Sequence, residues 1–440
     1  MARLVKSLRQ FLGLDSSILP VSRFARSIDT DFSYFREGDR VIVHGKTPQL
    51  TKPLRKGQKS DVRRGQLEHD QIIGRRVRDL VQARKGPEYR LTLPTLEEYV
   101  ALTPRLVTPI YAADANLIVS LLDIHVAPPA DGDDGRPPLE ILESGTGHGS
   151  LTLQLARAIQ AANSLPPLLP EESQIQYLQG RPGRPGDDQP QTNGQGAEGD
   201  KPVDQTQEQW DTWRAQRKAI IHTVDVSPKF SAHAETIVRE FRRGIYAGNV
   251  DFYVGHVENW IMEQVRRRQQ QTRSSNLLPS FRKSDTSPEP FLTHAILDMP
   301  SSHLRIPHVA RILKRDGILA VFMPSVTQIG ECVDLIRQQK LPFILEKAVE
   351  LGPGISNGRL WDIRFAVKKS RADPSSWTES SSEPAGEEPV EEETAEAQAV
   401  EETPAKDPET ALVCRPKVGS RIVGGGFVGI FRRIEDFQAQ

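Results

Sequence analysis

The sequence predicts an α/β fold, a mostly parallel sheet covered by helices on both faces, preceded by a small β-rich unit. Three observations carry this. From residue 94 onward, short apolar strands alternate with stretches of helical periodicity. A glycine-rich turn, Glu143-Ser144-Gly145-Thr146-Gly147-His148-Gly149-Ser150, links the first of those strands to a helix. Before residue 94 the pattern is different: residues 40–44 alternate, and Gly38, Gly45, Gly57, Gly65 and Gly74 punctuate short runs.

The first dozen residues carry Arg3, Lys6 and Arg9, with no acid before Asp15. Leu4, Leu8, Phe11 and Leu12 share one helix face. Basic, acid-poor and amphipathic is the composition of a mitochondrial presequence, so residues 1–34 are expected to be one. An ordinary surface helix, with a nuclear or cytoplasmic location, is the other reading. Residues 35–93 form the expected β-rich domain. It is dense in bases: Lys52, Arg55, Lys56, Lys59, Arg63, Arg64, Arg75, Arg76, Arg78, Arg84 and Lys85. Such a run is either a solvated face or a surface for RNA.

The remainder, 94–440, reads as one larger domain. Asp114 is expected to N-cap a helix carrying Leu117, Ile118, Leu121 and Leu122. Strands are expected at 139–142, 220–226, 252–254, 294–299 and 318–323. Helices should follow from Ser150 and over 228–243, 306–314 and 326–339. Residues 343–351, 362–367 and 423–431 add strands, expected as an antiparallel hairpin on the sheet. Three stretches, 164–208, 266–290 and 370–410, lack the apolar residues to bury themselves and read as disordered insertions. They account for a hydrophobic share of only 37% in a chain of 440 residues.

Charge follows the same division. The whole chain holds 57 bases and 58 acids, a net of -1. Residues 381–410 alone contain eleven acids and one base, Lys406. Without them the balance is 56 bases to 47 acids, which suits a polyanionic partner. Two cysteines, Cys332 and Cys414, exclude a disulfide framework and a cysteine-based zinc cluster. The histidines show no metal-ligand spacing, so no metal is expected. No apolar run reaches the roughly 18 residues that a membrane-spanning helix needs, so no membrane partner is expected.

The glycine turn is the sharpest local signal. Glycines let the backbone turn tightly and approach a ligand, and free N–H groups at the following helix suit an electronegative group. It is a nucleotide-binding turn or simply a tight strand–helix turn. Asp225 ends the next expected strand, where it would accept hydrogen bonds from ribose hydroxyls. The pattern suits S-adenosyl-L-methionine better than NAD. Asp298 ends the fourth strand, in Asp298-Met299-Pro300, and faces the ligand edge of an open sheet or caps a loop.

Taken together, an ordered series of motifs resembles the tRNA (adenine-58-N1)-methyltransferases. It runs through Phe35-Arg36-Glu37-Gly38-Asp39, Arg64-Gly65-Gln66-Leu67-Glu68-His69-Asp70, Pro94-Thr95-Leu96-Glu97-Glu98-Tyr99 and Thr108-Pro109-Ile110-Tyr111. The glycine turn, Asp298-Met299-Pro300, Trp361-Asp362-Ile363 and Val423-Gly424-Gly425-Gly426-Phe427 complete it.

The resemblance implies a Rossmann-like class I methyltransferase with a small N-terminal β domain. S-adenosyl-L-methionine would be its methyl donor and N1 of a T-loop adenine in tRNA its target. It implies that Gly145, Thr146, Gly147, His148, Gly149 and Ser150 wrap the methionine part and that Asp225 holds the ribose. Ile110 and Tyr111 would lie by the cofactor, with His256 near its adenine. Asp298 would be the catalytic residue, accepting from the adenine N6 amino group and stabilising positive charge on the ring. The family implies a tetramer, of one chain or of two paired kinds. Departures are His303 and Ser302 where the family has an aromatic and a proline, His148 in place of a small residue, and His256 in place of an acid. They motivate a second reading, a non-catalytic tRNA-binding subunit of such a complex.

Overall fold

The computed structural model describes residues 27–45, 47–129, 135–178, 204–275, 289–352, 359–367, 410–416 and 426–435. Its first part is a small β domain. Strands β1 (Ile42–His44), β2 (Gln49–Leu50), β3 (Lys59–Asp61), β4 (Gln66–Glu68), β5 (Leu80–Gln82) and β6 (Glu88–Thr92) form a four-stranded sheet in the order β2-β1-β6-β5 and a separate β3-β4 pair. Phe35, Val41, Val43, Leu54, Leu67, Ile72 and Leu91 fill its core. Runs this short and basic fold because most apolar side chains point to one shared interior. His69 is wholly buried there. Its Nδ1 accepts from the Arg55 N–H at 2.9 Å and its Nε2 meets Ser60 Oγ at 2.8 Å, so it ties a loop to the β3-β4 pair.

The larger domain begins with α1 (Leu96–Leu102) and α2 (Ala112–Leu121). Thr95 and Glu98 form a capping box at the start of α1. There follow β7 (Leu139–Ser144), α3 (Ser150–Ile159), β8 (Gln176–Tyr177), α4 (Gln205–Arg214), β9 (Ala219–Asp225), α5 (Pro228–Glu240) and β10 (Val250–Val254). The chain continues with α6 (Val257–Ser275), β11 (Leu292–Leu297), α7 (Ile306–Ala310), β12 (Leu313–Met323), α8 (Val326–Gln338) and β13 (Phe343–Glu350). β14 (Arg359–Val367), β15 (Thr410–Pro416) and β16 (Phe427–Arg433) complete it.

Among the described residues these strands make one ten-stranded sheet, ordered β15-β14-β13-β16-β12-β11-β7-β9-β10-β8. The block from β12 to β8 is parallel throughout, and β16 is antiparallel to both of its neighbours. This is the Rossmann-like class I methyltransferase arrangement. Both faces are buried, as parallel sheets require. Ile141, Ile296, Ile318 and Ala320 face one core with α1, α2, α3 and α5, whose contributions include Tyr99, Ile118, Leu151 and Ile237. Leu142, Ala295, Leu319 and Val321 face the other with α6, α7 and α8, through Trp260, Val309 and Ile329. Adjacent residues on one strand thus serve opposite cores, the two-residue period of a strand.

Five expectations change. Of the closing strands, β13 and β14 pair antiparallel as expected, but the last strand does not join them at the edge. β16 inserts between β12 and β13, antiparallel to both and with a bulge between Leu345 and Lys347 on β13, and β15, which falls where an insertion was expected to end, pairs with β14. Asp114 does not cap α2: Tyr111 holds the N-cap position, and Asp114 sits in the first turn. Residues 27–34 belong to the folded body, since Ile28 is buried and Phe32 packs on the small domain's core. The rest of the expected presequence, 1–26, lies outside the described residues.

The insertion at 164–208 is structured at both ends. Trp213 donates to Ser164 Oγ at 2.9 Å, and the buried carboxylate of Glu235 accepts from Ser173 Oγ at 2.6 Å and the Gln174 N–H at 2.7 Å. Residues 204–208 cap and open α4. Residues 266–275 continue α6. These polar stretches are ordered by buried hydrogen-bonding partners elsewhere in the chain, which composition does not reveal. Residues 179–203, 276–288 and 368–409 lie outside the described residues.

Arg243 joins the two domains. Its guanidinium meets Asp39 Oδ1 and Oδ2 at 2.9 Å each and donates to the carbonyls of Asp29, Asp31 and Tyr34. Asp39 is 3% exposed, so this is a buried, fully bonded ion pair. Arg242 and Arg243 both have left-handed backbones, φ 48° and 58°, and both guanidiniums lie over the Phe32 ring. Backbone strain of this kind persists only where its surroundings hold it. Arg40 adds a second link to Glu240. Arg243→Ala should destabilise the protein by about 3–5 kcal/mol, because it strands a buried carboxylate. Urea unfolding would measure this, and Arg40→Ala, at a more exposed link, should cost much less.

Candidate active site

The carboxyl ends of β7, β9, β10 and β11 lie side by side. The Gly145 N–H donates to the Val224 carbonyl at 2.9 Å, the Asp298 N–H to the Ser144 carbonyl at 2.8 Å, and the Gly255 N–H to the Asp225 carbonyl at 2.9 Å. Gly145 has φ +100°, and a Cβ there would overlap the Asp298 carbonyl oxygen. Only glycine lets the two strand ends close in this way.

The rest of the turn is fixed by side chains around it. The Gly147 N–H donates to Asp225 Oδ2 at 3.0 Å, and the Ser227 N–H to Asp225 Oδ1 at 2.8 Å. A carboxylate has about four lone-pair sites, so Asp225 keeps acceptor capacity for further hydroxyls. Thr146 meets Thr223 at 2.7 Å. Gly149 packs against Ala234 of α5. Ser150 Oγ donates to the Ile110 carbonyl at 2.5 Å, which brings the segment before α2 over the turn. Val107, in the same segment, lies next to Gly147.

The structure therefore gathers Gly145, Thr146, Gly147, His148, Gly149, Ser150, Ile110, Asp225 and Asp298 at one edge of the sheet. Tyr111 is exposed, and its hydroxyl accepts from Arg105 at 3.1 Å. His256 is half-buried at the start of α6, directly after Gly255. Leu178, at the end of β8, packs against Gly255, so an inserted strand forms a wall beside it.

Three carboxyls converge here, and burial raises each of them. Asp298 is pushed up to about 7 by desolvation, with the charge of Asp225 adding. Asp225 is raised by desolvation against the opposing hydrogen bonds of Ser227 and Gly147. Glu143, one residue before Ser144 and 1% exposed, is pushed up to about 8 despite the hydroxyl of Thr152 at 2.7 Å. Sequence reading gave Glu143 no role, because its chemistry comes from burial beside two other acids. Positive charge brought near these three acids would favour their ionised forms.

No protein-family model matches the chain. Among curated proteins it is 24% identical over 308 residues to the tRNA (adenine(58)-N(1))-methyltransferase of Thermus thermophilus, covering 70% of this chain and 81% of that protein.

The chain is similar to tRNA (adenine(58)-N(1))-methyltransferases.

A second relative is the catalytic subunit of the Candida albicans tRNA (adenine(58)-N(1))-methyltransferase, 28% identical over 130 residues, or 29% of this chain and 35% of that one. Among solved structures, a SAM-dependent O-methyltransferase from Thermotoga maritima covers 92% of this chain and 97% of its own at 13% identity and a TM-score of 0.49. The tRNA (m1A58) methyltransferase of Aquifex aeolicus covers 91% and 99% at 15% identity and a TM-score of 0.43. The fold assignment rests on the sheet order itself.

The raised carboxyls have a consequence for stability. Asp298 ordinarily titrates near 3.8 and here near 7, so between those values the folded state holds more protons than the unfolded one. Stability is then lost as pH rises through about 7. Asp298→Asn has no charge to bury. Its melting temperature should match the parent's near pH 4 and exceed it by a few degrees at pH 8, followed by thermal unfolding without ligand.

Proposed function

We propose that this chain is an S-adenosyl-L-methionine-dependent methyltransferase acting on N1 of a T-loop adenine, position 58, in tRNA. The observation that carries it is the closure of Asp298 onto the glycine turn at Gly145, beside Asp225 and Glu143. The reading requires an acid for the target base beside the turn that would hold the donor, and Asp298 fits that requirement. The two relatives support the tRNA adenine as target.

The residues fit the cofactor. Its sulfonium and ammonium are cations, and three carboxyls with raised affinities for protons await positive charge. When bound, the cofactor supplies an activated methyl group on a positively charged sulfur. Gly145–Gly149 give it backbone contact without a Cβ in the way, and Asp225 keeps acceptor capacity for the ribose hydroxyls. The Ile110 carbonyl meets Ser150 at the turn with Tyr111 next in the chain, and His256 and Leu178, at the β10 end, would flank the cofactor's adenine.

For the target base, Asp298 is a positioning and electrostatic group. Its carboxylate accepts from the N6 amino group, which sets N1 in line with the methyl group. As the ring gains positive charge, the same carboxylate stabilises it. No base is needed, because N1 carries its own lone pair. The adenine has to leave its stack to reach a site recessed at the strand ends.

The small domain supplies the polyanion surface. Residues 35–93 hold fifteen bases against seven acids, and Lys52, Arg55, Lys56, Lys59, Arg63, Arg64 and Arg84 are all exposed. Phosphate contacts of this kind position RNA without reading its sequence. The proposal includes a tetramer, of this chain alone or with a paralogous subunit. It is supported by the outer edge of β15, which pairs on one side only among the described residues. It also includes a mitochondrial location, supported by the basic, acid-poor start of the chain.

Three experiments test these readings. Asp298→Ala should lose methyl transfer to T-loop adenine by at least about 100-fold, read by primer extension, while keeping tRNA affinity within about twofold. Calorimetry should show S-adenosyl-L-methionine binding to the parent; no binding would favour the non-catalytic subunit. Residues 1–35 fused to a reporter should direct it to mitochondria, and a purely cytosolic reporter would remove that location.

A further inference from the structure

The loop that follows Asp298 carries a side chain that the proposed mechanism does not use. It leaves β11 at the same sheet edge as the glycine turn, begins with Met299 and ends in a 3-10 turn over Ser302–Arg305. Its start is fixed. The Asp298 N–H bonds the Ser144 carbonyl, and the Ser144 hydroxyl donates to Met299 Sδ at 3.0 Å. Ser302 is wholly buried and donates to the Met299 carbonyl at 2.6 Å. Ser301 has a left-handed backbone, φ 57°, which a serine keeps only where its surroundings impose it.

The end of the loop is anchored on two sides. His303 Nδ1 lies 3.8 Å from Glu331 Oε2 on α8. Arg305 Nε pairs at 2.8 Å with Glu258 Oε1 in the first turn of α6. Between these anchors stands Leu304, 52% exposed. Its own N–H donates to the Ser301 carbonyl at 3.1 Å, so its backbone is tied as well. The neighbouring apolar residues turn inward: Ile306 is wholly buried, and Met299 packs on the core shared with α6, α7 and α8.

A lone exposed leucine is common on protein surfaces and by itself says nothing. This one is held by contacts to two helices, in the loop headed by the acid proposed to receive the target base. The recessed pocket requires the adenine to leave its stack, which opens a gap in the RNA. Apolar side chains, leucine among them, insert between bases where a stack is opened. A side chain in that position has to resist the bases on either side of it, so its backbone must be held.

We propose that Leu304 is a wedge that fills the space vacated by the extruded adenine, with His303 and Arg305 as positioning residues that hold it out. This rests on the reading of the chain as an RNA adenine methyltransferase and adds to it the residue that keeps the base out of its stack. Contact with the flanking bases offsets part of the lost stacking. Because that contact is apolar, it does not depend on which bases they are.

The test uses two forms of one T-loop stem-loop RNA. One is the intact hairpin. In the other, the nucleotides flanking the target adenine are abasic, so the base has no stack to leave. Leu304→Ala should lower kcat/KM at least about tenfold on the intact hairpin and less than about twofold on the abasic form. Leu304→Met should keep the parent's rate on both. Arg305→Gln should lower the rate on the intact hairpin alone, by less than Leu304→Ala does. As a second readout, 2-aminopurine replaces the target adenine. Its fluorescence should rise when the parent binds and stay low with Leu304→Ala. Leu304 is exposed, so its replacement should not impair folding. Equal losses on both RNAs, the mark of a purely structural role, overturn the wedge. So does an intact-hairpin rate or a fluorescence rise that Leu304→Ala leaves unchanged. Equal losses on both RNAs in Arg305→Gln overturn its positioning role. If the parent methylates neither RNA, the methyltransferase reading falls and the wedge with it.

Discussion

The Asp298 carbonyl occupies the space that a side chain at position 145 would need. Much of the pocket depends on that contact. It draws the ends of β7 and β11 together, and the Asp298 N–H bond to Ser144 locks them. Asp225 is held from the other side by the Gly147 and Ser227 N–H groups. Asp225 and Asp298 are consequently close enough to raise the affinity of Glu143 for protons, and Asp225 that of Asp298, on top of the larger effect of burial. A site that stores unfavourable charge in this way is less stable by itself and better matched to a cation.

The second constraint sits on the opposite side of α5. That helix packs Ala234 on the glycine turn and leads at its far end into Arg242 and Arg243, whose strained backbone carries the links to Asp39 and Phe32. One helix therefore connects the pocket to the basic β domain. The distance between the small domain and the glycine turn is thereby set by α5, and the strain at Arg242 and Arg243 is offset by a buried ion pair and three carbonyl bonds.

Some of this was legible in the residues. The strand–turn–helix pattern around Gly145, and the acids ending β9 and β11, follow from periodicity and from glycine's freedom, which are local. Other features were not. Asp114 has the right residue type for a cap, yet the chain turns three residues earlier, at Tyr111. The ends of the 164–208 stretch look too polar to fold, but Glu235 and Trp213 hold them. Glu143 reads as an ordinary acid in a motif until its burial is known. His148 reads as a departure from a small residue, and only the structure shows its ring buried edge-on to His233.

The sequence by itself determined the layered α/β architecture, the separate basic domain and the identity of the turn, because two-residue and helical periods and glycine placement act over a few neighbours. Tertiary structure decided which strand lies beside which, with β16 threaded between β12 and β13, and it decided which acids share a field. Those outcomes depend on residues more than a hundred positions apart, such as Gly145 and Asp298 or Ile318 and Arg432. Desolvation and Coulombic coupling arise only once such residues are brought within a few ångströms, so no local pattern encodes them.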